Sequence, residues 1–266
     1  MGCISAKSKT ICDHFSSYDE LERSLRNKGL ESCQLIVGID FTKSNTWQGK
    51  LPYFAYTNLH HISHIQNPYQ QALSIMCQSL KSFDDDQLID AYGFGDYVTT
   101  NKSVFSFQLD MDNKEVPAKG GSAIPCYTLN GVLENYTRIA SRIQMSGPTS
   151  FSPIIKKAIS LVRDRKSYHI LIIIADGCVD DMKETITAII EASYYPLSII
   201  CIGVGAGPWD KMIKMDDDIP KRKFDNFQFV NFYKVMSQCE NQEVDFAKHA
   251  LMEIPYQYSY IKKYLL

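Results

Sequence analysis

Tyr168-His169-Ile170-Leu171-Ile172-Ile173-Ile174-Ala175-Asp176-Gly177 is the stretch on which the fold turns. Ile170 to Ala175 is an unbroken apolar run rich in β-branched residues. A strand with no polar alternate is covered on both faces, as in parallel sheets flanked by helices. The run ends on an aspartate and a glycine, where strand gives way to loop. Gln34-Leu35-Ile36-Val37-Gly38-Ile39-Asp40 has the same build and the same ending. Leu197 to Val204 is a third such run, and Gly203, Gly205 and Gly207 mark the turn after it.

Helical spacing fills the intervals. Ser17 to Lys28 reads as a short amphipathic helix with Leu21 and Leu25 inward, Ser17 and Glu20 as a capping box, and Gly29 as its stop. Ala72, Leu73, Met76, Leu80 and Phe83 predict a helix over 69–83. Leu129, Val132, Leu133, Tyr136, Ile139 and Ile143 predict one over 127–143. Pro153 opens another, which runs to about Asp164. Asp181 to Ser193 and Val244 to Ile254 are the last two. Leu88–Phe94 and Gln228–Asn231 read as further strands, and the alternating Val104–Leu109 as an antiparallel edge strand. Strands alternating with helices give an α/β fold: a doubly wound, mostly parallel sheet with helices on both faces. The expected organisation is an N-terminal arm with a short helix over 1–30, one domain over 31–258 and a C-terminal tail over 259–266.

Composition bounds the function. The 28 Lys and Arg against 30 Asp and Glu give a net charge of −2, without the basic footprint that phosphate backbones require, so no nucleic-acid partner is expected. Hydrophobic content of 45% is enough for a sizeable core. The eight cysteines include no C-x-x-C pair, and several sit in apolar runs, which favours a reducing, cytoplasmic setting. No apolar run approaches the ~18 residues of a membrane span.

In an open parallel sheet, ligands bind beyond the carboxyl ends of the strands. Two strands end there in Asp40 and Asp176. The loop after the first adds Thr42 and Ser44, and the loop Ser146-Gly147-Pro148-Thr149-Ser150 adds Thr149. Two carboxylates and three hydroxyls, with no Cys or His, suit a hard cation: Mg²⁺ or Mn²⁺, with Ca²⁺ the poorer fit. Two carboxylates neutralise a divalent ion and leave it open to one more anionic ligand, such as an exposed Asp or Glu of a protein partner. The same residues also fit plain turn chemistry or a helix cap. No catalytic residue is assigned.

Gly38-Ile39-Asp40-Phe41-Thr42-Lys43-Ser44-Asn45 resembles the metal-ion-dependent adhesion motif of a von Willebrand factor A domain of the copine kind, a Rossmann-like fold. Pro148-Thr149-Ser150-Phe151-Ser152-Pro153 resembles the second loop of that motif and Ile174-Ala175-Asp176-Gly177 the third. Asn67-Pro68-Tyr69, Tyr92-Gly93-Phe94-Gly95-Asp96 and Gly205-Ala206-Gly207-Pro208-Trp209-Asp210 extend the likeness. It covers about Tyr18 to Tyr258 and is nearest to the A domain of plant copine-like RING-domain ubiquitin ligases. The resemblance implies direct coordination by Thr42 and Ser44, Thr149 joining when an acidic ligand binds, and Asp40 and Asp176 acting directly or through water. It implies a metal-dependent protein-binding module serving as a signalling or trafficking adaptor. The chain stops at Leu266 without the Cys/His pairs of a RING, and about thirty residues precede the first strand, too few for the lipid-binding domains of animal copines. Ligase activity is therefore expected only with a RING from elsewhere; the alternative function is the substrate-recruiting part of such a ligase.

Gly2-Cys3 resembles the start of a doubly acylated protein, with myristate on Gly2, palmitate on Cys3, and Lys7 and Lys9 nearby. Ala6 departs from that pattern, which has Ser or Thr there. Acylation would hold the chain at the cytoplasmic face of the plasma membrane. His60, His61 and His64 lack a third ligand type and read as surface histidines. Asp84-Asp85-Asp86 and Asp216-Asp217-Asp218 lack calcium-loop spacing and read as solvated turns or helix caps.

Overall fold

The structure, a computed structural model, describes residues 16–48, 58–107, 126–177, 179–238 and 241–266. Gly2 and Cys3 lie outside the described residues. The strands are β1 (Cys33–Asp40), β2 (Asp84–Phe94), β3 (Phe105–Ser106), β4 (Cys126–Tyr127), β5 (His169–Ala175), β6 (Leu197–Gly203) and β7 (Phe227–Asn231). They form one sheet in the order β3-β2-β1-β5-β6-β7, with β4 also paired to β2. β1, β2, β5, β6 and β7 are mutually parallel, whereas β3 and β4 run antiparallel to β2. The expected edge strand is thus present, cut to two described residues.

The helices are α1 (Tyr18–Asn27), α2 (Asn45–Gln48), α3 (Pro68–Leu80), α4 (Leu129–Ala140), α5 (Ser152–Arg165), α6 (Met182–Ala192), α7 (Asp210–Asp217), α8 (Phe232–Met236), α9 (Gln242–Leu251) and α10 (Ile254–Tyr264). Strand side chains alternate between two cores. Leu35, Val37 and Ile39 of β1, Ile170, Ile172 and Ile174 of β5, and Ile200 and Ile202 of β6 face one core, with α1, α3, α4, α9 and α10. Ile36, Leu171, Ile173, Ile199 and Cys201 face the other, with α5, α6 and α7. Both faces of the sheet are therefore covered, which is why these strands carry no polar alternate. Gly38 is the one gap in β1: a Cβ there would lie 2.6 Å from Ile154 Cγ1, so its absence lets α5 close onto the strand.

The helix caps follow local chemistry. Ser17 accepts the Glu20 N–H, but the Glu20 carboxylate returns to Ser16, so the expected capping box is only half made. Asn67 and Gln70 complete a full one at α3. The chain past Ile254 is a correction. Residues 254–264 form a further helix, with Pro255 in its first turn and Ile261 buried in the core. This helix runs into the stretch expected as a tail and anchors it through Ile261, while Lys262, Lys263 and Tyr264 stay exposed; a proline in a first turn lacks only an N–H that would be unpaired anyway. Asp84 also departs from a solvated turn: it begins β2, opposite Cys33, and is buried. Asp216 accepts the Phe229 N–H at 3.2 Å and so fastens α7 to β7.

Candidate metal centre

The loops that follow β1 and β5 meet at the carboxyl edge of the sheet. The β1–β5 pairing ends at Ile39↔Ile174, so Asp40 stands level with the end of β5 and just before Asp176. Both aspartates are fully buried. Asp40 Oδ1 accepts the Thr42 N–H at 2.8 Å, the local turn expected of an aspartate two residues ahead. Thr42 Oγ1 and Ser44 Oγ lie 3.1 Å apart, and both residues are buried. The first motif therefore gathers one carboxylate and two hydroxyls around a single point.

Neighbouring loops lock this turn. Gly95 packs on Thr42 with φ +82°, and a Cβ there would fall 2.3 Å from Thr42 Cγ2. Ser146 donates its N–H to Gly95 O at 3.1 Å and accepts the Lys43 N–H at 2.6 Å, which ties the loop before α5 to those after β1 and β2. Thr149, buried in that loop, is joined to the loop after β5. Its N–H reaches Asp180 Oδ2 at 2.8 Å, and the Asp180 N–H returns to Thr149 O at 2.9 Å. The structure thus brings Asp40, Thr42 and Ser44 together beside Asp176, and binds the loop of Thr149 to both flanking loops.

Electrostatics set the chemistry. Asp40 Oδ2 is buried and has no hydrogen-bond partner among the described residues. Burial, reinforced by the Asp176 carboxylate, pushes the Asp40 acid well above the ordinary range, while its bonds to Thr42 pull the other way. Two buried carboxylates facing each other call for a cation. No group of three or more His, Cys, Asp or Glu suited to a metal exists among the described residues, and the oxygens beside the two carboxylates are the hydroxyls of Thr42 and Ser44. The residues present fit a hard divalent ion.

Three residues to which the sequence reading gave no part in the site lie beneath it. Asn45 is buried, and its Nδ2 donates to Thr42 O at 3.0 Å and Asp40 O at 3.3 Å. Tyr69 Oη donates to Asn45 Oδ1 at 2.6 Å. His60, expected on the surface, is buried: its ring stacks between Phe41 and Tyr69, with centroids at 4.6 and 4.1 Å. Asn45 directly abuts the motif and was legible from that position. His60 had no local signal, because its aromatic partners come from the loop after β1, from α3 and from α4.

Known proteins resemble this chain over most of its length. Residues 58–265 match the copine family model. E3 ubiquitin-protein ligase RGLG3 of Arabidopsis thaliana is 47% identical over 264 residues, covering 93% of this chain and 68% of its own. RGLG4 of the same plant is 45% identical, with 95% of this chain and 64% of its own covered. Copine family protein 2 of Caenorhabditis elegans is 45% identical over 94% of this chain and 3% of its own. Among solved structures, manganese-loaded Plasmodium vivax TRAP protein aligns with 78% of this chain and 71% of its own, at TM-score 0.48 and 13% identity. From the extent of the family match and the identity to these relatives, this chain belongs to the copine family.

Proposed function

We propose that this copine-family chain is a protein-binding module that holds Mg²⁺ or Mn²⁺, and Ca²⁺ less well, through Asp40, Thr42, Ser44, Thr149 and Asp176. The observation that carries the reading is the buried, unpartnered Asp40 Oδ2 beside the Asp176 carboxylate. When bound, the ion supplies a Lewis-acidic position for an Asp or Glu of a protein partner. Asp40 and Asp176 supply the compensating charge. Thr42 and Ser44 contribute neutral oxygens, so the ion keeps an appetite for one more anion. The bonds from Ser146 and Asp180 keep the three loops from parting. A pull-down with immobilised protein tests this: partners retained in Mg²⁺ should be lost with chelator and with Asp40→Ala. Retention indifferent to both would overturn the reading.

The names of the plant relatives favour a second reading, in which the chain is the substrate-recruiting part of a ubiquitin ligase. A ubiquitination assay with an added RING protein tests it, and substrate modification dependent on this chain would support it. Acylation of Gly2 and Cys3 is the proposed route to a membrane. Among the described residues no helix is long and apolar enough to cross one. Intact mass after co-expression with an N-myristoyltransferase should show an added acyl chain, and an unmodified Gly2 would remove the membrane from the account.

A further inference from the structure

Asp40 ends β1, and its carbonyl lies past the last β1–β5 pair. Side chains satisfy it: His60 Nε2 at 2.8 Å and Asn45 Nδ2 at 3.3 Å. The protons of this contact follow by elimination. A carbonyl oxygen only accepts, so Nε2 carries the hydrogen. A second ring proton would put an imidazolium in a buried pocket between Phe41 and Tyr69, so Nδ1 must accept. Tyr136 Oη of α4, 2.8 Å from Nδ1, therefore donates to it. Asn67 uses Oδ1 to cap α3, taking the Gln70 N–H at 3.0 Å, which turns its Nδ2 toward Tyr136 Oη at 3.0 Å. The hydrogen bonds run in one direction, from the α3 cap through Tyr136 and His60 to the Asp40 carbonyl. Such a one-way chain is mutually polarising, and it is buried, so each missing link leaves an unpaired group.

We propose that His60 is a positioning residue for the metal site: through it, Asn67 of the α3 cap and Tyr136 of α4 hold the Asp40 peptide and so aim the Asp40 carboxylate. This inference rests on the metal reading above. His60 does not touch the ion, because one ring nitrogen is spent on Asp40 and the other on Tyr136. By linkage, whatever fixes Asp40 is in turn fixed through it, so occupancy of the site steadies α4.

Mn²⁺ affinity, read by the electron paramagnetic resonance of the free ion, tests the proposal on the wild type, His60→Phe and Tyr136→Phe. Melting in chelator gives each variant's folding, and deuterium uptake of α4 with and without Mn²⁺ gives the coupling. His60→Phe, which keeps a stacking ring, should bind Mn²⁺ about tenfold more weakly. Tyr136→Phe should weaken it about threefold. Mn²⁺ should protect α4 amides in the wild type and less so in Tyr136→Phe, a difference that a merely structural tyrosine would not produce. Folded variants with wild-type Mn²⁺ affinity and wild-type protection would overturn the proposal. If His60→Phe does not fold, Tyr136→Phe decides alone. A wild type that binds no Mn²⁺ sinks the metal reading itself, whereas a wild type that binds beside unaffected variants sinks this inference only.

Discussion

A carboxylate with one oxygen on the Thr42 N–H and the other facing a second buried acid is costly to keep ionised away from water. Asp40 is in that position, and its raised pKa has a definite sign. The metal-free fold holds its proton longer than the unfolded chain does, so stability falls as pH rises from the ordinary carboxylate value, about 4, toward the raised one. Asp40→Asn removes that penalty. In chelator at pH 7 it should therefore melt at a higher temperature than the wild type. The same variant should gain no stability from Mg²⁺ or Mn²⁺. Thermal melts with and without metal check both halves. Thr42→Val, which removes one ligand and the buried bond to Ser44, should lower the metal-free melt modestly and weaken Mn²⁺ about tenfold. Asp40, Thr42, Ser44 and Asp176 could be picked out because each lies at or just past the end of a visibly apolar run, and Thr149 because it stands in the loop ahead of α5. His60 could not, since a histidine beside His61 in an irregular stretch looks exposed until Phe41 and Tyr69 close on it.

Elements differ in how far their sequences announce them. β1, β5 and β6 are apolar throughout because they lie between two cores, and that pattern needs no partner to be read. β4 and α8 are short segments whose structure comes from packing, and α10 was hidden by Pro255. With its Ile261 in the core, α10 should be needed for stability. Ile261→Ala should cost about 2–4 kcal/mol in chemical denaturation, and no measurable loss would return these residues to a loose tail. Glu253, at the start of the same helix, adds a pH dependence. Burial and the nearby Asp225 and Asp216 raise its pKa from 4.5 to about 8. An acid raised in the folded state contributes stability below its unfolded pKa that is lost on the way up, so the window is pH 4.5 to about 8. Glu253→Gln should flatten that part of the stability–pH curve, and an unchanged slope would rule the residue out as its source. Gly95 shows an element serving the site: Gly95→Ala forces a Cβ into Thr42 at φ +82°, and should lower both melting temperature and metal affinity.

For the whole molecule, the doubly wound topology decides where chemistry can occur. The central strands point their carboxyl ends the same way, and the β1 and β5 ends lie side by side at the middle of the sheet. That adjacency brings Asp40 beside Asp176, although 135 positions separate them in the chain. The two cores then act as a rigid mount, with α5 held close by the missing side chain at Gly38 and the three loops tied by Ser146 and Asp180. We propose that this edge holds a divalent cation. Isothermal titration of Mn²⁺ into the chain and into Asp40→Ala tests it most directly. Saturable one-site binding by the native chain, absent in the folded variant, is the predicted result. No binding by the native chain, or equal heats from both proteins, would contradict the account.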